Sequence, residues 1–127
     1  MRSLSRLLCA SVGALALAGC EQAAPLSTCN LPVVLFGLHV TVVDSITNTS
    51  PPSAILIARS GAYVDSVGPQ TPDALGWLSL SAAMERSGTY DLTVRAPGYR
   101  EWTRAGVRVT GDGCHVDPVS VTARLRP

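Results

Sequence analysis

From about Leu38 onward, apolar and polar residues alternate over short runs that Gly, Pro, Asn and Ser interrupt. A period of two places successive side chains on opposite faces of a strand, so the pattern predicts β-structure. The first strand is predicted over Leu38 to Val43, with Leu38, Val40 and Val42 on one face; Asp44 to Pro52 then turns, and Pro51-Pro52 excludes helix. Ala54 to Ala58 is apolar on both faces, which predicts a strand that is central or covered on both sides. A Ser60-Gly61 hairpin leads to a strand over Ala62 to Val67, and a Gly- and Pro-rich loop from Gly68 to Gly76 follows. Trp77 to Ala82 places Leu78 and Leu80 together and turns Trp77, Ser79 and Ser81 the other way.

The clearest alternation runs from Gly88 to Arg95, with Tyr90, Leu92 and Val94 inward and Asp91, Thr93 and Arg95 outward. Ala96-Pro97-Gly98 supplies a turn, because Pro presets one backbone angle and Gly tolerates a positive one. A strand over Tyr99 to Val109 follows, with a bulge expected at Gly106. The last strand is predicted over Cys114 to Leu125; a bulge at Asp117-Pro118 would turn Cys114, Val116, Val119, Val121, Ala123 and Leu125 all inward. Seven short strands without a helical stretch predict an all-β fold, a seven-stranded antiparallel β-sandwich. The echo between Arg59-Ser60-Gly61-Ala62-Tyr63 and Arg86-Ser87-Gly88-Thr89-Tyr90 reads as reused turn chemistry.

The N-terminus has a different pattern. Arg2 and Arg6 precede an apolar run from Leu7 to Leu17, broken only by Ser11 and Gly13 and too short to span a bilayer as a helix. It has the length of a signal-peptide core and is excluded from the fold. The run ends in Leu17-Ala18-Gly19-Cys20, which resembles the lipobox of bacterial lipoproteins. The resemblance implies a signal peptide over residues 1–19, cleavage before Cys20, and lipidation of Cys20. Two or more acyl chains, at about 0.8 kcal/mol per buried methylene, would hold the mature protein on a membrane without a spanning segment. Glu21 rather than Asp after the cysteine implies, by the same resemblance, the outer membrane facing the periplasm. Residues 20–28 read as a lipidated tether whose extended length is at most roughly 30 Å, and residues 29–127 as one domain.

Composition narrows the function. All ten basic residues are arginine, and losing Arg2 and Arg6 leaves eight against nine carboxylates, a net charge of −1. Bulk attraction to nucleic acid is therefore unsupported, and no phosphate loop or nucleic-acid motif is present. With Cys9 removed and Cys20 lipidated, Cys29 and Cys114 remain, and an oxidising envelope favours joining them as a disulfide. Metal binding by Cys29, Cys114, His115 and His39 lacks ligand spacing, so no metal and no cofactor are expected. No catalytic signature appears. A triad from His39 or His115, Asp44 or Asp117, and a serine would rest on residue types alone; by parity both histidines are expected at the surface.

The run Gly88 to Tyr99, as G-x-Y-x-L-x-V-x-A-x-G-Y, resembles the carboxypeptidase regulatory-like domains of the transthyretin (prealbumin)-like sandwich class. The series Val43-Asp44, Thr47, Pro51-Pro52 and Ala54 resembles that family's first turn and second strand. The resemblance implies a non-catalytic accessory module. A fold relative, the transthyretin-like hydrolase, ends in a Tyr-Arg-Gly-Ser type motif; Ala123 to Pro127 does not match it, so that activity is not carried over. The expectation is a membrane-anchored structural or protein-interaction module of the envelope, with a glycan- or small-ligand-binding module as the alternative and a hydrolase behind both.

One stripe carries binding chemistry. If the strand after Tyr99 is unbroken, Arg100, Trp102 and Arg104 point the same way, and Arg108 continues that parity beyond Gly106. An indole flanked by guanidinium groups suits a sugar face bearing carboxylate or phosphate. The competing expectation is a bulge near Trp102 that turns the indole into the core.

Overall fold

In the computed structural model, which describes Cys29 and residues 32–127, the alternating runs form seven strands and no helix. The expected signal peptide, the lipidated Cys20 and the tether lie outside the described residues. The strands are β1 (Phe36–Asp44), β2 (Ala54–Ser60), β3 (Tyr63–Gln70), β4 (Ser79–Met84), β5 (Gly88–Arg95), β6 (Trp102–Val109) and β7 (Val119–Leu125). They make two sheets, of order β4-β1-β7 and β3-β2-β5-β6. The all-β sandwich expected from the periodicity is therefore observed.

Period-two alternation builds the core. Leu38, Val40 and Val42 of β1 face Leu56 and Ala58 of β2 and Tyr90, Leu92 and Val94 of β5 as buried residues of one cluster, joined by Leu80 of β4 and Leu125 of β7. Burying each large apolar side chain stabilises the sandwich by about 1.5–3 kcal/mol relative to exposure. Tyr90 is fully buried and satisfies its hydroxyl by donating to the Arg86 carbonyl, 2.9 Å away and four residues back. As the two-sided apolar run requires, β2 is central in its sheet, with Ile55 and Ile57 half-buried on the outer face.

Four expectations need correction. The sandwich is not wholly antiparallel: β1 and β7 pair in parallel from Leu38↔Val119 to Asp44↔Leu125. Alternation fixes which face a residue takes but not strand direction. A parallel pair needs a long connection, and here five strands lie between the two. Second, β3 continues through Gly68 and Pro69 to Gln70 instead of yielding to a loop. As an edge strand it tolerates Pro, and Gly68 has φ +107° where an added Cβ would lie 2.5 Å from the Ala54 carbonyl oxygen.

Third, β6 begins at Trp102 rather than Tyr99, because the segment before it is bound elsewhere: the Tyr99 hydroxyl donates to Asp44 (2.8 Å) and the Arg100 N–H to the Arg126 carbonyl (2.8 Å). Fourth, β7 begins at Val119, and no bulge at Asp117-Pro118 extends it to Cys114. Residues 110–118 instead form a loop closed by the Gly111–Val116 bridge and by Asp117 N–H donating to the Thr110 carbonyl (2.8 Å). The bulge at Gly106 is present: the β5–β6 register shifts between Tyr90 and Leu92, Gly106 has φ +71°, and its N–H donates to Asp91 (3.0 Å).

Parallel pairing puts the starts of β1 and β7 at the same pole, and the expected disulfide closes there. Cys29 and Cys114 are bonded, with Cα atoms 5.3 Å apart. In the chain-entropy model the 85-residue separation corresponds to roughly 4–5 kcal/mol of stabilisation. Beside it Glu85, on the β4–β5 connection, accepts from Leu35 N–H (2.8 Å), His115 Nδ1 (2.8 Å) and Val116 N–H (3.2 Å). One carboxylate thus ties the N-terminal approach to the loop that carries Cys114.

The His115 hydrogen bond, followed by that of Leu35 N–H, lowers the Glu85 pKa below its ordinary 4.5. A carboxyl lowered in the folded state contributes stability that is complete above its unfolded value and is lost as pH falls through the folded one. Glu85→Gln is therefore expected to melt lower than the parent at pH 7 and to show a shallower fall of melting temperature between about pH 4.5 and pH 2. Parallel melting curves with the same acid slope would contradict this role for Glu85.

Candidate ligand-binding cleft

The pole opposite the disulfide is built by the ends of β1 and β7 and the turn between β5 and β6. At the end of β1, buried Asp44 accepts from Ile46 N–H (2.6 Å), Thr47 N–H (3.0 Å) and the Tyr99 hydroxyl (2.8 Å). These donors favour the ionised form, and the Thr47 N–H, then the Ile46 N–H, lower the Asp44 pKa below its ordinary value. The same carboxylate pushes the Tyr99 phenol pKa up, with burial adding to it. Tyr99, a turn residue after Gly98 at φ +82°, is thereby fixed to the other sheet.

The Arg100–Arg126 backbone hydrogen bond draws the start of β6 to the segment after β7. Between them lies an open cleft of about 520 Å³, lined by Ser45, Arg100, Glu101, Trp102, Thr103, Arg124 and Arg126. Three arginines and one acidic residue are among its lining, and the carboxylate of that residue, Glu101, is held by Arg95 Nε. Arg124 donates through Nη1 to Asn48 (2.9 Å). The residues that line the cleft are therefore predominantly cationic, with Ser45 and Thr103 among them.

Of the stripe expected from parity, Arg100 and Trp102 line the cleft together; Arg104, opposite Leu92 in the β5–β6 ladder, is exposed along the same edge and does not line it. Arg108 does not continue the stripe. The bulge at Gly106 inverts parity, so Val107 and Val109 are buried and Arg108 is turned outward. It lies with Ser87, Gly88, Thr89 and Thr110 in a separate depression.

Neither expectation for Trp102 describes it fully. It pairs in register with Val94, needs no bulge to face inward, and is half-buried against the core while also lining the cleft. Arg124 and Arg126 were missed as partners of Trp102. The alternation Ala123-Arg124-Leu125-Arg126 does put both arginines outward, but their approach to Arg100 depends on which strands adjoin across the sandwich edge.

Of the catalytic candidates, the structure brings one histidine to a serine, and the hydrogen bonds of the two aspartates go elsewhere. His39 Nδ1 lies 2.9 Å from Ser81 Oγ as a cross-strand pair on β1 and β4. Asp44 is engaged by Tyr99 and the backbone, and Asp117 accepts from Thr110 (2.8 Å). Neither is directed at a histidine by these bonds. His39 is half-buried rather than freely exposed, and so is His115, because each packs beside a hydrogen-bond partner, Ser81 and Glu85. The disulfide withdraws Cys29 and Cys114 from metal ligation. No family model matches the chain, and no curated protein matches it significantly.

Half-burial sets the cost of removing the indole. Trp102→Ala is expected to destabilise the domain by about 1–3 kcal/mol, less than the roughly 3–5 kcal/mol of a fully buried aromatic. A denaturant titration checks this, and an unchanged midpoint or a chain that fails to fold would each contradict the geometry.

Proposed function

We propose that this chain is a non-catalytic, membrane-anchored β-sandwich module of the cell envelope, carried on a lipid at Cys20 and displaying a binding cleft. The observation that carries the reading is polar separation. The approach from the N-terminal side is bonded through Cys29 to the β6–β7 loop at one pole, and the Arg100–Trp102 cleft opens at the other. A module tethered at the first pole would present the second away from the bilayer. The disulfide suits an oxidising compartment, as the lipobox-like Leu17-Ala18-Gly19-Cys20 also does.

The likeness of Gly88 to Tyr99 to carboxypeptidase regulatory-like domains supports an accessory role and a transthyretin-like arrangement of the two sheets. Of the two non-enzymatic readings, structural partner and ligand binder, the concave cationic cleft favours ligand binding.

Membrane fractionation tests the anchoring. The parent chain is expected in the membrane fraction, and Cys20→Ser in the soluble fraction with its leader unprocessed. Processed Cys20→Ser protein that stays with the membrane would overturn the lipid anchor.

A further inference from the structure

We infer that the cleft binds an anionic saccharide, with carboxylate or phosphate groups on the arginines and a sugar ring against Trp102. This rests on the reading of the chain as a ligand-displaying module, and it names the ligand class.

Arg100 precedes β6 and Arg126 follows β7, strands of different sheets, and the hydrogen bond between their backbones (2.8 Å) brings the two residues to one cleft. Among the described residues neither guanidinium takes part in an ion pair, whereas Arg95 is paired with Glu101. Arg124 adds a third positive group and is braced by Asn48. The domain as a whole carries no basic excess, so this local convergence is not the by-product of a positive surface. Like charges gathered in a concavity repel one another and raise the local concentration of anions. A guanidinium fork fits a carboxylate or phosphate through two parallel hydrogen bonds.

The indole narrows the class further. Trp102, in register with Val94, is packed in part against the core and also lines the cleft, an apolar side chain beside positive charge. A pyranose offers what such a side chain takes, an apolar C–H face with hydroxyls around its rim. Ser45, from the end of β1, adds a residue whose hydroxyl can both donate and accept at that rim. The volume of about 520 Å³ falls within the range for small ligands and suits one or two rings. An acidic peptide would satisfy the arginines but has no comparable use for the indole.

Isothermal titration of the full-length chain in detergent micelles, and of Cys20→Ser, tests the proposal. The probes are trigalacturonate, a hexose 6-phosphate, the neutral trisaccharide maltotriose, inorganic phosphate and a tetra-aspartate peptide. Trigalacturonate, the hexose phosphate or both are expected to bind about tenfold or more tightly than the neutral sugar, inorganic phosphate or the peptide, and more weakly as salt rises. Whichever acid probe binds identifies the anionic group. Arg100→Ala and Arg126→Ala should each weaken binding about tenfold, and Trp102→Phe by a smaller factor with the melting transition retained, while Arg108→Ala leaves binding unchanged.

The proposal is overturned if maltotriose or the peptide binds as tightly as the acid sugars, if no probe binds, or if Arg108→Ala weakens binding as much as Arg126→Ala. Cys20→Ser separates the two readings. Binding by a Cys20→Ser protein that remains on the membrane would remove the anchor and leave the ligand site standing; membrane release on Cys20→Ser without binding in either form would do the reverse.

Discussion

The parallel register of β1 and β7 is the constraint on which the arrangement of this molecule depends. Because Leu38 lies beside Val119 and Asp44 beside Leu125, both strands start at one pole and finish at the other. Their starts bring Cys29 to Cys114 and Leu35 and His115 to Glu85. Their ends bring Ser45 to Arg124 and Arg126, where the β5–β6 turn adds Arg100 and Trp102. An antiparallel pair would have placed the cysteine loop and the Arg124–Arg126 segment at exchanged ends. The clasp and the cleft are thus two consequences of one strand direction.

The poles also differ in how their polar groups are satisfied. At the clasp, Glu85 gathers three donors and the covalent bond closes the loop. At the cleft, Asp44 gathers three donors of its own and immobilises Tyr99, so the backbone beneath the arginines is rigid while Arg100 and Arg126 extend into the open space. Under the proposed reading, a backbone pinned by these bonds would leave less ordering to be done when the arginines meet an anionic ligand. Along the edge beyond it, the bulge at Gly106 and the exposed Arg104 and Arg108 blunt β6 against strand addition.

Much of this fold was legible in the sequence because burial on one face imposes a period of two. Tyr90, Leu92 and Val94, and likewise Leu38, Val40 and Val42, are buried as their alternation requires. The disulfide followed from the cysteine count and the oxidising compartment that the leader's resemblance implies. Glycine marked the bulge in β6, where the chain takes a positive φ and the Gly106 N–H donates to Asp91. What alternation does not encode is direction and neighbourhood, and the errors fall there. The β1–β7 pair is parallel; β3 runs through Pro69 because it is an edge; Tyr99 leaves its strand for a carboxylate 55 residues away. The cleft was half visible for the same reason: Arg100 and Trp102 share one segment, whereas Arg124 and Arg126 join them only once β6 and β7 meet across the sandwich.

The register of β1 against β7 is directly measurable in solution. Isotope-edited NMR on the full chain should show interstrand contacts between Val40 and Val121 and between Val42 and Ala123, with Leu38 near Val119. Contacts that instead run in the opposite sense, with Leu38 near Leu125 and Asp44 near Val119, would contradict the account at its base.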